Sequence, residues 1–178
     1  MVYLFLAEGF EEVEALTPLD YLRRAGVEVC SVGVTGQIVT GSHGIMVHTD
    51  ITPDQVNFDQ IEMIVLPGGM PGTLNLEKNQ IVQQAIDVCT ANHHIIGAIC
   101  AAPSILGHKG LLQGKKATCF PGFEPDLIGA NYQNQPVCVD DTIITSRGAG
   151  AAQQFSFALV EQLLGKEKAE ILAQQVQW

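Results

Sequence analysis

The sequence predicts an α/β fold with a mostly parallel central sheet, and two observations carry that prediction. Val2–Leu6, Ile61–Leu66 and Ile95–Ile99 are apolar almost throughout, as strands are when helices cover both faces of their sheet. These runs alternate with longer segments whose apolar residues recur at helical spacing, the pattern of β-α-β units. At 178 residues, 47% of them apolar and 16% charged, the chain is expected to form one globular domain over 1–178 with a sizeable core.

The elements follow in order. After Val2–Leu6 comes Gly9, then an acidic stretch from Glu11 that opens a helix running to about Gly26; acidic residues suit a helix N-terminus electrostatically. Pro18 is expected to restart or kink it. Val27–Val34 reads as a second strand. Gln37–Thr40 and Ile45–His48 read as a small hairpin through Gly41 and Gly44. Ile61–Leu66 is stopped by Pro67-Gly68-Gly69. Asn79–Ala91 is a helix, with Ile81, Val82, Ala85, Ile86 and Cys89 on one side. Ile95–Ile99 leads directly into a helix over Ala101–Gly107. Ala117–Cys119, Val137–Val139 and Thr142–Ser146 are short strands, and Ala151–Leu164 and Lys166–Val176 close the chain as helices.

Nineteen acidic against nine basic residues give a net charge of −10. Such a surface repels phosphate backbones, and the basic residues are scattered, so neither nucleic acid nor an anionic membrane is an expected partner. No apolar run approaches the length of a membrane span. Val2–Leu6 is too short for a signal peptide and lacks a basic start, so a cytoplasmic location is expected. The five cysteines, Cys30, Cys89, Cys100, Cys119 and Cys138, are odd in number and contain no CxxC. A disulfide framework and a zinc knuckle are both disfavoured, and no cofactor or metal is expected.

In an open parallel sheet, ligands bind beyond the carboxyl ends of the strands. Gly9–Glu14, Pro67–Gly72 and Cys100 all fall there. Gly97-Ala98-Ile99-Cys100-Ala101-Ala102-Pro103 places a thiol where a strand turns into a helix, among neighbours small enough for a tight elbow. Unpaired N–H groups and the helix dipole at that place favour thiolate, so Cys100 is expected to be the most acidic and most oxidation-prone of the five thiols. Gly68-Gly69 permits close backbone approach and an N–H donor to an oxyanion; the amide of Ala101 offers a second. No histidine suits Cys100 as a base. His93 and His94 lie roughly 20 Å away along a strand, and His108 about 12 Å along a helix. Only His43 and His48 on the hairpin remain, by folding over or from a second subunit. Glu8, Glu11, Glu12 and Glu14 cluster after the first strand. One of them turned inward would have its pKa raised by burial and like charge, and would donate a hydrogen bond to sulfur.

LAEGFEEVEAL, PLDYLRRAGVEV, VLPGGMPGTLNL, GAICAAP and TSRGAG, in this order over nearly the whole chain, resemble the ThiJ/PfpI superfamily, a class I glutamine amidotransferase-like domain. The closest resemblance is to the branch of the parkinsonism-associated deglycase and its bacterial relatives. The resemblance implies a flavodoxin-like three-layer sandwich and a homodimer. It implies Cys100 as nucleophile, Glu14 as the carboxylic acid beside it, and Gly69 and Ala101 as oxyanion donors. It is the motif, and not spacing, that selects Glu14 among the four glutamates. Two departures stand out: Ala101 replaces the histidine that follows the nucleophile in the protease branch, and Phe120 replaces the histidine before proline in the deglycase's T-x-H-P segment. Peptidase activity is therefore not expected. Ser42-His43-Gly44 matches a hairpin segment that carries a basic residue at the dimer interface, which makes His43 a candidate contributor to the partner's site.

What the resemblance implies for function is a glyoxalase III or deglycase acting on methylglyoxal or early glycation adducts of protein. The alternatives are a redox sensor or stress chaperone working through oxidation of Cys100, and the thiazole monophosphate biosynthesis role attached to the family, for which no phosphate site is visible.

Overall fold

The computed structural model describes residues 1–178. β1 (Val2–Leu6) is buried at every position. α1 (Glu12–Arg24) follows, capped by Glu11, whose carboxylate accepts the Glu14 amide at 2.8 Å. Pro18 lies inside α1, which runs on as one helix and does not restart; Ala15, Leu19 and Leu22 pack the helix along its length onto the core, which outweighs the one ladder bond Pro18 removes. β2 (Val29–Gly33), β3 (Ile38–Thr40), β4 (Met46–His48) and β5 (Met63–Leu66) come next. Then follow α2 (Gly72–Lys78), α3 (Gln80–Asn92), β6 (Ile95–Ile99) and α4 (Pro103–His108). β7 (Lys116–Ala117), β8 (Asn131–Tyr132), β9 (Val137–Asp140), β10 (Ile143–Ser146), α5 (Ala152–Leu164) and α6 (Lys166–Gln175) complete the chain.

The six-stranded sheet has the order β2-β1-β5-β6-β10-β9, parallel except for edge strand β9. β3 and β4 form a separate antiparallel hairpin. The pleat sends alternate side chains to two cores. Tyr3, Phe5, Ile64, Leu66 and Ile96 face Val82, Ile86, Ile105 and Leu106 of α3 and α4. Val2, Leu4, Met63, Val65 and Ile144 face Leu19 and Leu22 of α1, Phe155 and Leu159 of α5, and Leu172 of α6. This is a three-layer sandwich of the expected class. The register pairs Leu6 with Gly33, Leu66 with Ala98 and Ser146 with Ile99, so the loops after β1, β5, β6 and β10 emerge along one edge.

One element near that edge was not expected and one expectation is corrected. The segment after Pro67-Gly68-Gly69, to which the sequence assigned no element, holds a short helix over Gly72–Lys78, too brief to show periodicity in sequence. The helix after Cys100 does not begin at once. Ala101 and Ala102 form a turn, and α4 begins at Pro103, whose fixed φ suits a first helical position.

Candidate active site

Cys100 follows β6 with φ +65°, a left-handed conformation that a non-glycine residue holds only where its surroundings impose it. The surroundings are visible. The Cys100 amide donates to the Ser146 carbonyl at 2.8 Å, continuing the β6–β10 ladder. The Cys100 carbonyl accepts from the Phe120 amide at 2.8 Å. The backbone is thus pinned from both sides and the half-buried thiol is turned towards the loops after β1 and β5.

Glu14 comes from the first turn of α1 and is 1% exposed. Its Oε2 accepts the Gly68 amide at 3.0 Å, and the Ala149 backbone and the Cys100 thiol lie close enough to favour its charged form. Gly68 makes this approach possible. A β-carbon there would stand 2.5 Å from the β-carbon of Cys100, 2.6 Å from Glu14 Oε2 and 3.0 Å from the sulfur, all inside contact distance. The loops after β1 and β5 are locked together behind it. Glu11 N–H donates to the Gly68 carbonyl at 2.9 Å and Gly72 N–H to the Gly9 carbonyl at 3.2 Å. Gly9 and Gly69 have φ of +81° and +90°, which glycine alone adopts freely.

Burial pushes the Glu14 carboxyl up to about 7, assisted by the charge of Glu11 and opposed by the hydrogen bonds from Cys100, Gly68 and Ala149. The Cys100 thiol is pushed up to about 12, by burial first and then by Glu14, against the amides of Gly69 and Ala101, which favour thiolate. This corrects the expectation that Cys100 would be the most acidic thiol. Burial pushes Cys89 and Cys119 to about 12 as well, so Cys100 is not set apart by acidity. The two-residue turn before α4 and the adjacent carboxyl defeat the dipole argument. What distinguishes Cys100 is the Glu14 carboxyl beside it, whose burial favours the protonated form and so keeps a proton next to the sulfur.

The structure brings Cys100, Glu14, Gly69 and Ala101 together. It sends His43 elsewhere within the chain. His43 Nδ1 is 2.8 Å from Glu12 Oε2, and the His43 amide donates to Glu12 Oε1 at 2.7 Å. His108 lies between Glu77 and Asp126, so the spacing argument that kept it from Cys100 holds. The close approach expected at Gly68 is seen, whereas Gly148 and Ala149 were missed as contributors; their only signal was membership of the TSRGAG segment. Glu11, Glu12 and His43 present ligand-type atoms within 4.8 Å of one another, a grouping the sequence did not suggest. Both oxygens of Glu12 are already engaged, by His43 and by the Ile45 and Ser42 donors, so it serves as a clamp on the hairpin tip.

A family model described as the DJ-1/PfpI family matches residues 1–162. The chain belongs to the DJ-1/PfpI family. Protein DJ-1 homolog B of Arabidopsis thaliana is 39% identical over 171 residues, 94% of this chain and 39% of that protein. The chain thus spans about two fifths of that relative's length. Deglycase PfpI of Pyrococcus furiosus is 33% identical over 84% of this chain and 92% of its own length. Among solved structures, oxidised Toxoplasma gondii DJ-1 is 35% identical, with a TM-score of 0.94 over 99% of this chain and 97% of that one. The DJ-1/PfpI assignment fits the flavodoxin-like order of the sheet and the elbow at Cys100.

Proposed function

We propose that this protein is a cysteine-dependent enzyme of the glyoxalase III or deglycase type, acting on methylglyoxal or on its early adducts with protein. The observation that carries the reading is the buried carboxyl of Glu14, titrating near 7, held against the Cys100 thiol. A general acid–base is most effective when its pKa lies near the working pH. The deglycase name of a relative adds support.

In this reading, Cys100 sulfur attacks the aldehyde carbon, and the new oxyanion faces the amides of Gly69 and Ala101. Glu14 supplies the proton to that oxygen and then, as carboxylate, moves the former aldehyde hydrogen from C1 to C2 as a proton, while the C1 hydroxyl proton passes to the C2 oxygen. C1 is thereby oxidised and C2 reduced within the same molecule, leaving a thioester on Cys100. Water, deprotonated by Glu14, releases lactate and restores the thiol. No external oxidant or reductant is consumed. With no histidine at 101 or 120, proton transfer rests on Glu14, and casein should not be cleaved.

The test is steady-state conversion of methylglyoxal to lactate by wild type beside Cys100→Ser and Glu14→Gln, with mass spectrometry of Cys100. Turnover lost in both variants supports the reading; wild-type turnover indistinguishable from Cys100→Ser overturns it. In that event the second reading, redox sensing by a Cys100 sulfinate held by Glu14, gains ground; it is favoured by the similarity to oxidised Toxoplasma gondii DJ-1. Our reading includes a homodimer formed through the apolar surface of Val13, Ile38, Ile45 and Met46, each about half or more exposed, with His43 nearing the partner's site. Sedimentation at micromolar concentration tests it, and a monomer would remove His43 from the chemistry.

A further inference from the structure

Arg147 follows β10 directly, one residue before Gly148. Its amide is fixed to the Pro136 carbonyl at 3.1 Å, yet its guanidinium forms no hydrogen bond or ion pair. The other two arginines are both paired, Arg23 with Asp50 and Arg24 with Asp20, at 2.6 Å. Arg147 is exposed, and in a chain with nineteen carboxylate side chains it is the one arginine without a carboxylate partner.

Arg147 lines a cleft of about 400 Å³ with Phe120, Pro121, Pro136, Gly148 and Gln154. Neither Cys100 nor Glu14 lines the cleft; Phe120 and Gly148 stand between it and the pair. Phe120 is bonded through its amide to the Cys100 carbonyl. A β-carbon on Gly148 would be 3.3 Å from the Phe120 ring and 3.8 Å from Glu14 Oε1, so the bare backbone there is all that separates cleft from carboxyl. Its size matches sites that hold molecules well above five heavy atoms, and methylglyoxal has only five. The walls are aromatic and prolyl, with one permanent cation at the rim.

We propose that Arg147 is an anion anchor, and that the cleft takes an α-oxoaldehyde whose apolar body ends in a carboxylate. The inference rests on Cys100 and Glu14 being the reacting pair. A single guanidinium matches a carboxylate through two parallel N–H bonds. A phosphate dianion would call for further donors, and no second cation lines the cleft. At a net charge of −10 the protein's overall field repels anions, so retention must come from a local charge against low-dielectric walls. Arg147 thereby selects the substrate and fixes which end faces the thiol, while the apolar walls hold the body between them.

The test uses the alkylation rate of Cys100, which requires no turnover. Iodoacetate and iodoacetamide differ by one charge, and the ratio of their rates reports anion capture beside the sulfur. Arg147→Gln should lower the iodoacetate-to-iodoacetamide ratio by roughly fivefold or more, as loss of a close charge partner does, and Arg147→Lys should restore part of it. Lys168→Gln on α6 removes the same charge elsewhere and should leave the ratio in place. Benzoate should protect Cys100 of wild type from iodoacetamide, and protect Arg147→Gln less. An unchanged ratio in Arg147→Gln, or an equal fall in Lys168→Gln, overturns the anchor whatever the protein turns over. A selective fall in a protein that leaves methylglyoxal untouched upholds the anchor and removes the methylglyoxal reading.

Discussion

Glu12 and Glu14 stand two residues apart in the first turn of α1, with little surface of their own exposed, at 4% and 1%; Glu14 lies deep, whereas Glu12 lies under a thin cover that includes the exposed His43. One carboxyl is held at about 2 and the other at about 7. The helix dipole acts on both alike, and burial raises both. The difference lies in the donors. Against burial, Glu12 receives the His43 ring and the amides of His43 and Ile45, enough to hold the charge. Glu14 meets a thiol, two amides and the repulsion of Glu11, which is not enough. Two residues in one helical turn thus serve opposite ends: a fixed anion that ties down a hairpin, and a proton carrier.

The comparison can be broken at several points. The largest effect is expected on turnover: Glu14→Gln should lower methylglyoxal kcat/KM by about 10²–10⁴, the usual share of a general acid–base, and abolish the rise in rate through pH 7. Glu12→Gln should retain that pH profile. A Glu12→Gln loss as deep as that of Glu14→Gln would mean the two roles are not separate.

Stability should respond in opposite directions. The Glu14 carboxyl is raised from 4.5 to about 7, so between those values the folded chain binds more protons than the unfolded one. Stability therefore falls as pH rises through that window, and Glu14→Gln, which removes the cost, should be more stable than wild type at pH 8 by roughly 2–3 kcal/mol. For Glu12 the sign reverses. Its pKa is lowered from 4.5 to about 2, so its contribution is present above 4.5 and is lost as pH falls towards 2. Discounted for the thin, solvated cover of the hairpin tip, Glu12→Gln should cost about 1–2 kcal/mol at neutral pH. Urea denaturation at pH 4, 6 and 8 reads both. The smallest effect is that of His43→Ala. It takes away one donor to Glu12 and leaves the amides, so the Glu12 carboxyl should titrate higher than about 2 but still below 4.5, as carboxyl carbon NMR would follow; no movement would show that the backbone amides alone hold the charge.

The fold was legible because its strands are buried on both faces and its longer helices are amphipathic, so residue type tracks position closely in Val2–Leu6 and Gln80–Asn92. α2 was illegible because seven residues give fewer than two helical turns of pattern. The strand-end place of Cys100 was legible from the apolar run that ends there and the alanines that follow, although position alone left a core cysteine as good a reading. The site's electrostatics were not legible. Whether Glu11, Glu12 or Glu14 turns inward depends on where the loop after β5 lies, and the motif chose Glu14 where spacing could not. The thiol's raised pKa likewise depends on that carboxyl's approach, a contact between residues 86 positions apart. His43's attachment to Glu12 was missed for the same reason.

The glycines that let the loops after β1 and β5 interlock have a consequence for how this protein tolerates sequence change. A β-carbon at Gly9 would stand 2.5 Å from Pro71, at Gly72 2.6 Å from the Phe10 amide nitrogen, and at Gly68 2.5 Å from the β-carbon of Cys100. None of these glycines carries a reactive atom, yet each is expected to be as intolerant in a saturation-mutagenesis screen as Cys100 itself. Scoring cellular abundance beside activity would sort them. Substitutions at Cys100 should abolish turnover at full abundance, whereas substitutions at Gly9 and Gly72 should lower both together, because there the backbone's own closeness is what the sequence must preserve.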